Sequence, residues 1–287
     1  MPVLLSRQFC LDSCERYVYR DGNPDLRIAI VNLMPLKQRT EDDFLRLIDG
    51  SELNVRVDFV RMSSHVTKGA DRERIERCYL PSDKLDLSRY DGLIVTGAPV
   101  ELLDFKEIDY WNELTALIDR ATALGIAAIY ICWGAFAALY HQHGVNKVVR
   151  YSKISGAYIH DVKPHALTRG LGTEIWVPQS RNTSLDPLAM ATAEVDAVIT
   201  TRFDDFHMLA DRKRPILYFL GHWEYNPDTL HMEYTRDMGK GLNPEPPVDY
   251  YLPGKVGREY EARWIAPGRI FYNNWLNYLI ERKTGNG

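Results

Sequence analysis

The sequence predicts an α/β fold, in which a mostly parallel sheet carries helices on both faces. Short apolar segments alternate with amphipathic segments along the first half of the 287 residues. Glycine or proline closes most of the apolar segments, as expected where a buried strand turns into a loop. The composition, 45% hydrophobic and 26% charged, is that of a globular chain able to bury a large core. Because parallel strands need a crossover, usually a helix, this alternation favours a parallel sheet.

In the first half, strands and helices are predicted from the period of their apolar residues. Asn54–Met62 alternates with period two, which predicts a strand with one exposed face. Thr40 is the predicted N-cap of its helix, because acidic residues follow in the first turn and Gly50 lies just past the end. The predicted strands are Arg27–Leu33, Asn54–Met62, Gly92–Thr96 and Ile126–Ile131, and the predicted helices are Thr40–Ile48, Ile108–Leu124 and Trp133–His143.

The second half is less regular, and no internal repeat, low-complexity tract or linker divides the chain. A single domain over 1–287 is therefore expected. In open α/β sheets the ligand crevice lies at the carboxyl ends of the strands, so functional residues are expected in 32–37, 96–101, 132–134 and 221–225. The predicted strands are Ala197–Thr201 and Pro215–Leu220, and the predicted helices are Pro227–Met238 and Trp264–Glu281.

Charge and cysteine content exclude several classes of protein. With 35 basic and 39 acidic residues the net charge is -4, which argues against a nucleic-acid-binding surface. The four cysteines are too few and too scattered for a disulfide framework, and none forms part of a zinc-binding pattern. The apolar start of the chain is too short for a signal peptide, so a cytoplasmic protein is expected.

The run from Ala121 to Asn146 contains no charged residue and is long enough to cross a bilayer. Glycines interrupt it and its end is polar, so a buried strand followed by a buried helix is the better interpretation, and no membrane partner is expected. His141 and His143 lie near that end, but histidines two apart on a helix point in different directions. They are interpreted as a capped or exposed pair, and no metal site is expected.

Cys132 directly follows the predicted strand Ile126–Ile131 and precedes a helix of small residues. A side chain at such a turn is exposed at the top of the sheet, and the amino terminus of the helix stabilises negative charge there. Gly134 and Ala135 allow the helix to approach the sheet closely, as in the nucleophile elbow of hydrolases. Taken alone, Cys132 is at least as well explained as a small buried hydrophobic residue.

A second apolar strand, Pro215–Leu220, runs into the segment GHWEY, which contains His222 and Glu224. In extended backbone these two side chains leave on the same side, so the carboxylate can orient the imidazole. Together with Cys132 they predict a nucleophile, a base and an orienting acid in one crevice. The alternative, an exposed histidine beside a solvated glutamate, requires two independent coincidences.

Several long segments resemble the homoserine O-acyltransferases of the methionine pathway: NLMPLKQRTE, DGLIVTGAPVELLDF, ICWGAFAALYHQHG, KISGAY, GHWEY and NNWLNY. The resemblance extends from about residue 27 to residue 278. It implies a class I glutamine-amidotransferase-like fold, with a core at about 27–240 and a C-terminal extension at 241–287. It also implies that an acyl group passes from acyl-coenzyme A to the hydroxyl of homoserine through an acyl-cysteine, with no permanently bound cofactor.

The resemblance gives catalytic roles to particular residues of this chain. It implies that Cys132 is acylated, that His222 is the general base and that Glu224 is its partner. Lys37 and the backbone near Trp133 are expected to hold the oxyanion, and the aromatic residues Trp133, Phe136 and Trp223 are expected to form walls that exclude water.

The resemblance also implies substrate contacts. Lys153, Ser180 and Arg236 would bind the amino-acid substrate, since an arginine holds a carboxylate through two hydrogen bonds and a lysine adds charge. Glu101 bears on the acyl donor, because a glutamate there would repel the distal carboxylate of a succinyl group. Acetyl-coenzyme A is therefore the expected co-substrate. If Glu101 only begins the next helical turn, the donor stays open.

Phe136, Gln179 and Trp223 depart from the usual family motifs and are expected in or near the substrate crevice. They leave L-serine open as an acceptor beside L-homoserine, because a single methylene is worth only about 1–3 kcal/mol in a pocket. A succinyltransferase is a further alternative, and a glutaminase or a non-catalytic protein of the same fold is less favoured. The chain is compatible with a homodimer.

Overall fold

The structure is a computed structural model that describes residues 4–5, 23–65, 72–201 and 205–285. Within these ranges the strands form one sheet with helices on both faces, which confirms the predicted α/β class. In chain order the strands are β1 Leu4–Leu5, β2 Leu26–Val31, β3 Val55–Arg61, β4 Leu80–Pro81, β5 Gly92–Val95, β6 Ala127–Ile131, β7 Lys147–Val162, β8 Glu174–Leu185, β9 Val195–Thr201, β10 Phe206–Asp211 and β11 Ile216–Phe219. The helices are α1 Lys37–Ile48, α2 Arg72–Cys78, α3 Trp111–Ala123, α4 Trp133–His143, α5 Pro187–Met190, α6 Thr229–Gly239 and α7 Ile265–Thr284.

The sheet divides into two halves with different strand directions. The parallel half contains β1 to β6 and β11, whose described pairings with one another are parallel. The antiparallel half contains β7 to β10, and β10 joins it to β11. The strand order is β1-β3-β2-β5-β6-β11-β10-β9-β7-β8, with β4 beside β3. The carboxyl ends of β5, β6 and β11 therefore meet at one edge of the sheet.

Strands of the parallel half are buried on both faces, which explains their continuous apolar sequences. Successive side chains of β2 enter two different cores. Ile28 and Ile30 pack in the core that contains residues of α1 and α7. Ala29 and Val31 pack in the core that contains residues of α3 and α4. Helices thus cover both faces of the sheet.

Two local predictions are wrong. Thr40 is not an N-cap, because α1 begins earlier, at Lys37, and the Thr40 hydroxyl donates to the Leu36 carbonyl at 3.2 Å. The residues before Thr40 have good helix propensity and extend the helix toward the loop. β3 does not have one exposed face, since it lies between strands and beneath helices on both sides. Its Asp58 is buried and accepts a hydrogen bond from the Tyr90 hydroxyl at 3.0 Å.

Most of the antiparallel half is not predicted by the sequence. β7 and β8 are long, but the first part of β7 is exposed and carries polar residues without apolar alternation. α2, α5 and β10 are not predicted either. Within the described ranges no helix is long and apolar enough to cross a membrane. The uncharged run from Ala121 to Asn146 contains the end of α3, β6 and α4.

Candidate active site

Cys132 lies at the turn between β6 and α4, at the carboxyl edge of the parallel half. Its φ of 49° and ψ of -117° are rare for a residue other than glycine and are held by the structure around it. The Cys132 N–H donates to the Phe219 carbonyl at 2.6 Å, so the end of β11 fixes this turn. Because Cys132 is the N-cap of α4, the first helical N–H groups, which lack acceptors within the helix, lie next to it.

Two glycines make room around Cys132. A β-carbon on Gly134 would lie 2.7 Å from the Thr96 carbonyl oxygen, so any side chain here would push α4 away from the sheet. A β-carbon on Gly97 would lie 3.8 Å from the Cys132 Sγ and 3.8 Å from the His222 Cε1. The thiol and the imidazole therefore border the same small space.

His222 and Glu224 are brought together by a turn and not by extended backbone. β11 ends at Phe219, and the Tyr225 N–H donates to the His222 carbonyl at 3.2 Å. The His222 Nδ1 lies 2.6 Å from the Glu224 Oε1, and both side chains are buried. The expected contact is present although its predicted backbone basis is wrong. Since Nδ1 faces the carboxylate, Nε2 is the ring nitrogen left for proton transfer.

The imidazole of His222 has an environment that favours its charged form. Burial lowers the pKa of His222, but the adjacent Glu224 carboxylate and the Cys132 sulfur raise it well above the usual value. The ring of Tyr225 stacks on it with centroids 4.2 Å apart. These contacts suit an imidazolium beside a thiolate.

Side chains of α1 form hydrogen bonds with the turn that follows β11. The Arg46 guanidinium donates to the Glu224 carbonyl at 2.9 Å. The Asn226 amide donates to the Asp43 carboxyl at 2.5 Å, and burial, followed by the charge of Glu224, raises the pKa of Asp43 to about 8. A carboxyl that is largely protonated near neutral pH adds little negative charge beside Glu224.

The segment before His222 is held by residues that the sequence does not reveal. The Gly221 N–H donates to the His207 Nδ1 at 3.3 Å, and the His222 N–H donates to the Pro178 carbonyl at 2.9 Å. Burial lowers the pKa of His207 well below its usual value, so the ring is neutral and can accept. A histidine inside a strand carries no sequence signal for this role.

The three expected amino-acid contacts are brought together on β7, β8 and α6. Lys153 Nζ lies 3.1 Å from the Asp237 Oδ2 and 3.8 Å from the Glu233 Oε2. The Ser180 hydroxyl donates to the Glu233 Oε2 at 2.5 Å. Arg236 contacts the Asp237 carboxylate at 2.8 Å, and its side chain is 53% exposed. The side chains of Lys153 and Arg236 thus lie among the carboxylates of Glu233 and Asp237.

Glu233 and Asp237 are the members of this group that sequence reasoning misses. Besides Ser180, Glu233 accepts a hydrogen bond from the Tyr225 hydroxyl at 2.9 Å. Since Tyr225 stacks on His222, Glu233 links the amino-acid contacts to the imidazole. A signal for both exists in the sequence, because Glu233, Arg236 and Asp237 lie at helical spacing and share one face of α6.

Lys37 is the first residue of α1, and its Nζ donates to the Asn32 carbonyl at the end of β2, at 2.5 Å. Burial lowers the pKa of Lys37 to about 8, although the charge of Glu41 opposes the shift. Asn32 is fixed in turn, because its amide donates to the Tyr79 hydroxyl at 3.0 Å. The ammonium group is therefore held at the same sheet edge as Cys132, two strands away.

Glu101 lies on the loop after β5, where its carboxylate contacts β8. Its Oε2 accepts from the Asn182 N–H at 2.8 Å, and its Oε1 accepts from the Asn182 side-chain amide at 2.5 Å. Thr183 Oγ1 lies 3.3 Å from the same Oε2. Glu101 lies in a turn closed by a hydrogen bond from the Leu103 N–H to the Val100 carbonyl at 3.1 Å, and no helix begins at it.

The aromatic residues expected to wall the site are buried in the cores. The Trp133 indole packs against Tyr110 and Phe105. Phe136 is in the same core. Trp223 packs against Phe271 in the other core, with centroids 4.8 Å apart. The role of these three rings as walls of the site stays a prediction.

Gln179 is also buried, with its amide 3.1 Å from the His160 Nε2. His141 and His143 contact different elements, as expected for histidines two apart. The His141 Nε2 lies 2.7 Å from Asp119, and the His143 Nε2 lies 3.0 Å from Asp211. Within the described ranges no three metal-ligating side chains form a group that could hold a metal ion.

The whole chain is similar to proteins of one enzyme family. The family model described as homoserine O-succinyltransferase matches residues 9–286. A relative from Bacteroides fragilis (strain YCH46), named homoserine O-acetyltransferase, is 37% identical over 280 residues, which are 96% of this chain and 91% of the relative. A relative of the same name from Streptococcus thermophilus is 37% identical over 288 residues, 99% of this chain and 91% of the relative.

Solved structures with a similar fold include glutamine amidotransferases. A glutamine amidotransferase from Thermotoga maritima has a TM-score of 0.63 at 12% identity, and the match covers 90% of this chain and 99% of that protein. A glutamine amidotransferase from Methylobacillus flagellatus has a TM-score of 0.57 at 14% identity, and the match covers 88% of this chain and 94% of that protein. At these identities the likeness shows a glutamine-amidotransferase-like fold and nothing more.

Proposed function

The chain belongs to the homoserine O-succinyltransferase family of acyltransferases in methionine biosynthesis, and we propose that it transfers an acetyl group from acetyl-coenzyme A to L-homoserine. The proposed route is ping-pong, with an acetyl-cysteine at Cys132. The observation that carries it is the arrangement of Cys132 and His222 around Gly97, with Glu224 behind the imidazole.

In the first half-reaction the Cys132 thiolate attacks the thioester carbonyl carbon. A carbon–sulfur bond forms to Cys132, the bond to coenzyme A breaks, and the protonated His222 gives its proton to the leaving thiolate. The first N–H groups of α4 are the proposed oxyanion donors, because they have no acceptor within the helix. The Lys37 ammonium adds positive charge at this edge. Exchange between two thioesters is nearly balanced, so cysteine is suited to hold the acetyl group.

In the second half-reaction the hydroxyl of homoserine attacks the acetyl-cysteine. His222 accepts the hydroxyl proton, a carbon–oxygen bond forms, and the Cys132 thiolate leaves beside the newly protonated imidazole. Glu224 keeps Nε2 toward the reacting atoms and stabilises the imidazolium. The cycle then returns to its starting charge state.

Lys153, Ser180 and Arg236 are the proposed contacts for the amino acid. An ammonium, a carboxylate and a hydroxyl are its recognisable groups, and the site offers cations interleaved with Glu233 and Asp237. Arg236 is exposed enough to turn from Asp237 toward an incoming carboxylate. A charge-assisted pair of this kind contributes about 1.5–3 kcal/mol.

Acetyl is the proposed acyl group because neutral donors hold the Glu101 carboxylate at this place. A second carboxylate at the end of a succinyl group would meet it at a cost of several kcal/mol. The names of the curated relatives agree with this choice. Succinyl transfer is the second candidate, since the matching family model carries that name.

Intact-protein mass measurement after mixing with acetyl-coenzyme A tests the covalent step. The wild-type chain should gain the mass of one acetyl group, and Cys132→Ala should gain none. Equal labelling of both would refute the proposed nucleophile. Product analysis with acetyl- or succinyl-coenzyme A, crossed with homoserine or serine, then identifies both substrates. Ammonia release from glutamine would instead indicate a glutaminase.

A further inference from the structure

The pairing of β7 with β8 is interrupted beside Glu101. Val149 pairs with Thr183 and Ile154 pairs with Arg181, so residues 150–153 of β7 bulge opposite the single residue Asn182. A bulge leaves the facing residue without its regular ladder partners. The backbone N–H of Asn182 donates outside the ladder, to Glu101 at 2.8 Å.

Asn182 holds both oxygens of the Glu101 carboxylate. The backbone N–H binds Oε2, and the side-chain amide donates to Oε1 at 2.5 Å. Two donors in a fork give a carboxylate a defined orientation as well as a bond. Both donors are neutral and fix the position of the negative charge, and the Lys147 ammonium is the charged neighbour with which it interacts.

The loop that carries Glu101 is tied to the same hairpin a second time. The Lys147 ammonium, at the start of β7, donates to the Leu103 carbonyl and lies 4.3 Å from the centroid of the Phe105 ring. With anchors on both sides, the loop cannot move Glu101 away without breaking contacts to β7 or β8. The carboxylate therefore keeps its place whichever acyl donor arrives.

We propose that Asn182 is a positioning residue for acyl-donor choice, which it sets by holding the Glu101 carboxylate where it repels donors with a terminal negative charge. The inference rests on the proposed function, in which Glu101 limits the acyl group. Ser180, two residues earlier on the same face of β8, contacts the acceptor group at Glu233. β8 thus carries one residue for each substrate, Asn182 for the acyl donor and Ser180 for the amino acid.

The experiment compares three thioesters, acetyl-, succinyl- and butyryl-coenzyme A, on the intact chain. Butyryl is the matched neutral probe, because it has the chain length of succinyl without the terminal carboxylate. For Asn182→Ala we expect kcat/KM with succinyl-coenzyme A to rise about tenfold relative to acetyl-coenzyme A. The value with butyryl-coenzyme A should change far less. Tyr151→Ala, at a fully exposed position of the same bulge, is the control and should leave all three values unchanged.

A second variant shows whether Asn182 acts through Glu101. In a Glu101→Gln background, Asn182→Ala should add nothing to the gain with succinyl-coenzyme A, because the charge is already absent. An equal rise for succinyl and butyryl donors, or additive effects of the two substitutions, would overturn the proposal. A wild-type chain that transfers no acyl group would instead overturn the proposed function. Acetylation of Cys132 in each variant shows that the site is folded.

Discussion

The two halves of the sheet contribute differently to the site. The parallel half presents Cys132 and His222 on turns after buried strands, and their backbone is held by neighbouring strands and helices. The antiparallel half presents Lys153, Ser180 and Asn182 on strands that are partly exposed. The proposed bond-making groups thus lie on the more buried part of the fold, and two of the proposed substrate contacts lie on a more exposed part.

This division predicts that substitutions at the site residues of the parallel half impair both half-reactions. Substitutions in the antiparallel half are expected to change the kinetics with one substrate only. The largest effect is expected for Glu224→Gln, which keeps the shape of the side chain but removes the charge beside His222 Nδ1. Steady-state kcat/KM should fall about 10³–10⁴-fold for both substrates. Acetylation of Cys132 in a single turnover should slow as well.

The control for that experiment is thermal unfolding, which should show that the variant is folded. A decrease of less than tenfold would contradict the role of Glu224 and would weaken the distinction between the halves.

Gly134→Ala tests whether the parallel half depends on close packing. The new β-carbon would lie 2.7 Å from the Thr96 carbonyl oxygen, so α4 has to shift. We expect the free energy of unfolding to fall by about 1–3 kcal/mol, with loss of Cys132 acetylation. Chemical denaturation measures the first quantity. Gly239→Ala is the matched control, since no atom outside its own stretch of helix lies within 4 Å of the new β-carbon, and it should be neutral or slightly stabilising.

Lys153→Ala should affect only the second half-reaction. It removes a cation from the group around Glu233 and Asp237, so KM for homoserine should rise about tenfold. The rate at which acetyl-coenzyme A acetylates Cys132 should stay close to wild type, and rapid-quench measurement distinguishes the two steps. Slower acetylation would show that the halves are not separable in this way.

The smallest effect is expected from pH. Lys37 has a pKa of about 8, lowered by burial, so its charge is present below that pH and is lost as pH rises through it. If this charge supports the oxyanion, kcat/KM for acetyl-coenzyme A should decline severalfold above about pH 8. In Lys37→Arg the guanidinium stays charged and the decline should move to higher pH. An unchanged pH profile in that variant would remove Lys37 from the mechanism.

The parallel half could be predicted from the sequence because its buried strands are apolar runs and its candidate site residues directly follow those runs. Apolar runs such as Ile126–Ile131 indicate strands, and the polar residues that follow them indicate a crevice. This pattern predicts Cys132, His222 and Glu224 independently of the family resemblance. Their catalytic roles stay predictions, as does the single-domain organisation.

Apart from β9, the antiparallel half could not be predicted, and for the exposed first part of β7 the reason is that pairing and not burial defines the strand. β7 carries exposed polar residues, and its bulge opposite Asn182 depends on register, which only the partner strand fixes. Lys153, Ser180 and Arg236 came from resemblance alone. Their grouping around Glu233 and Asp237 required the fold.

The position of β11 has a consequence for how the chain folds as it is made. β11 pairs with β6, yet much of the chain separates them, and the turn after β11 is closed by the Trp264 indole, which donates to the Tyr225 carbonyl at 2.8 Å. Pairing between segments so distant in sequence slows folding. On a chain emerging from the ribosome, Cys132 has no His222 beside it until β11 has been synthesised. The contact from Trp264, which closes the turn after β11, follows later still.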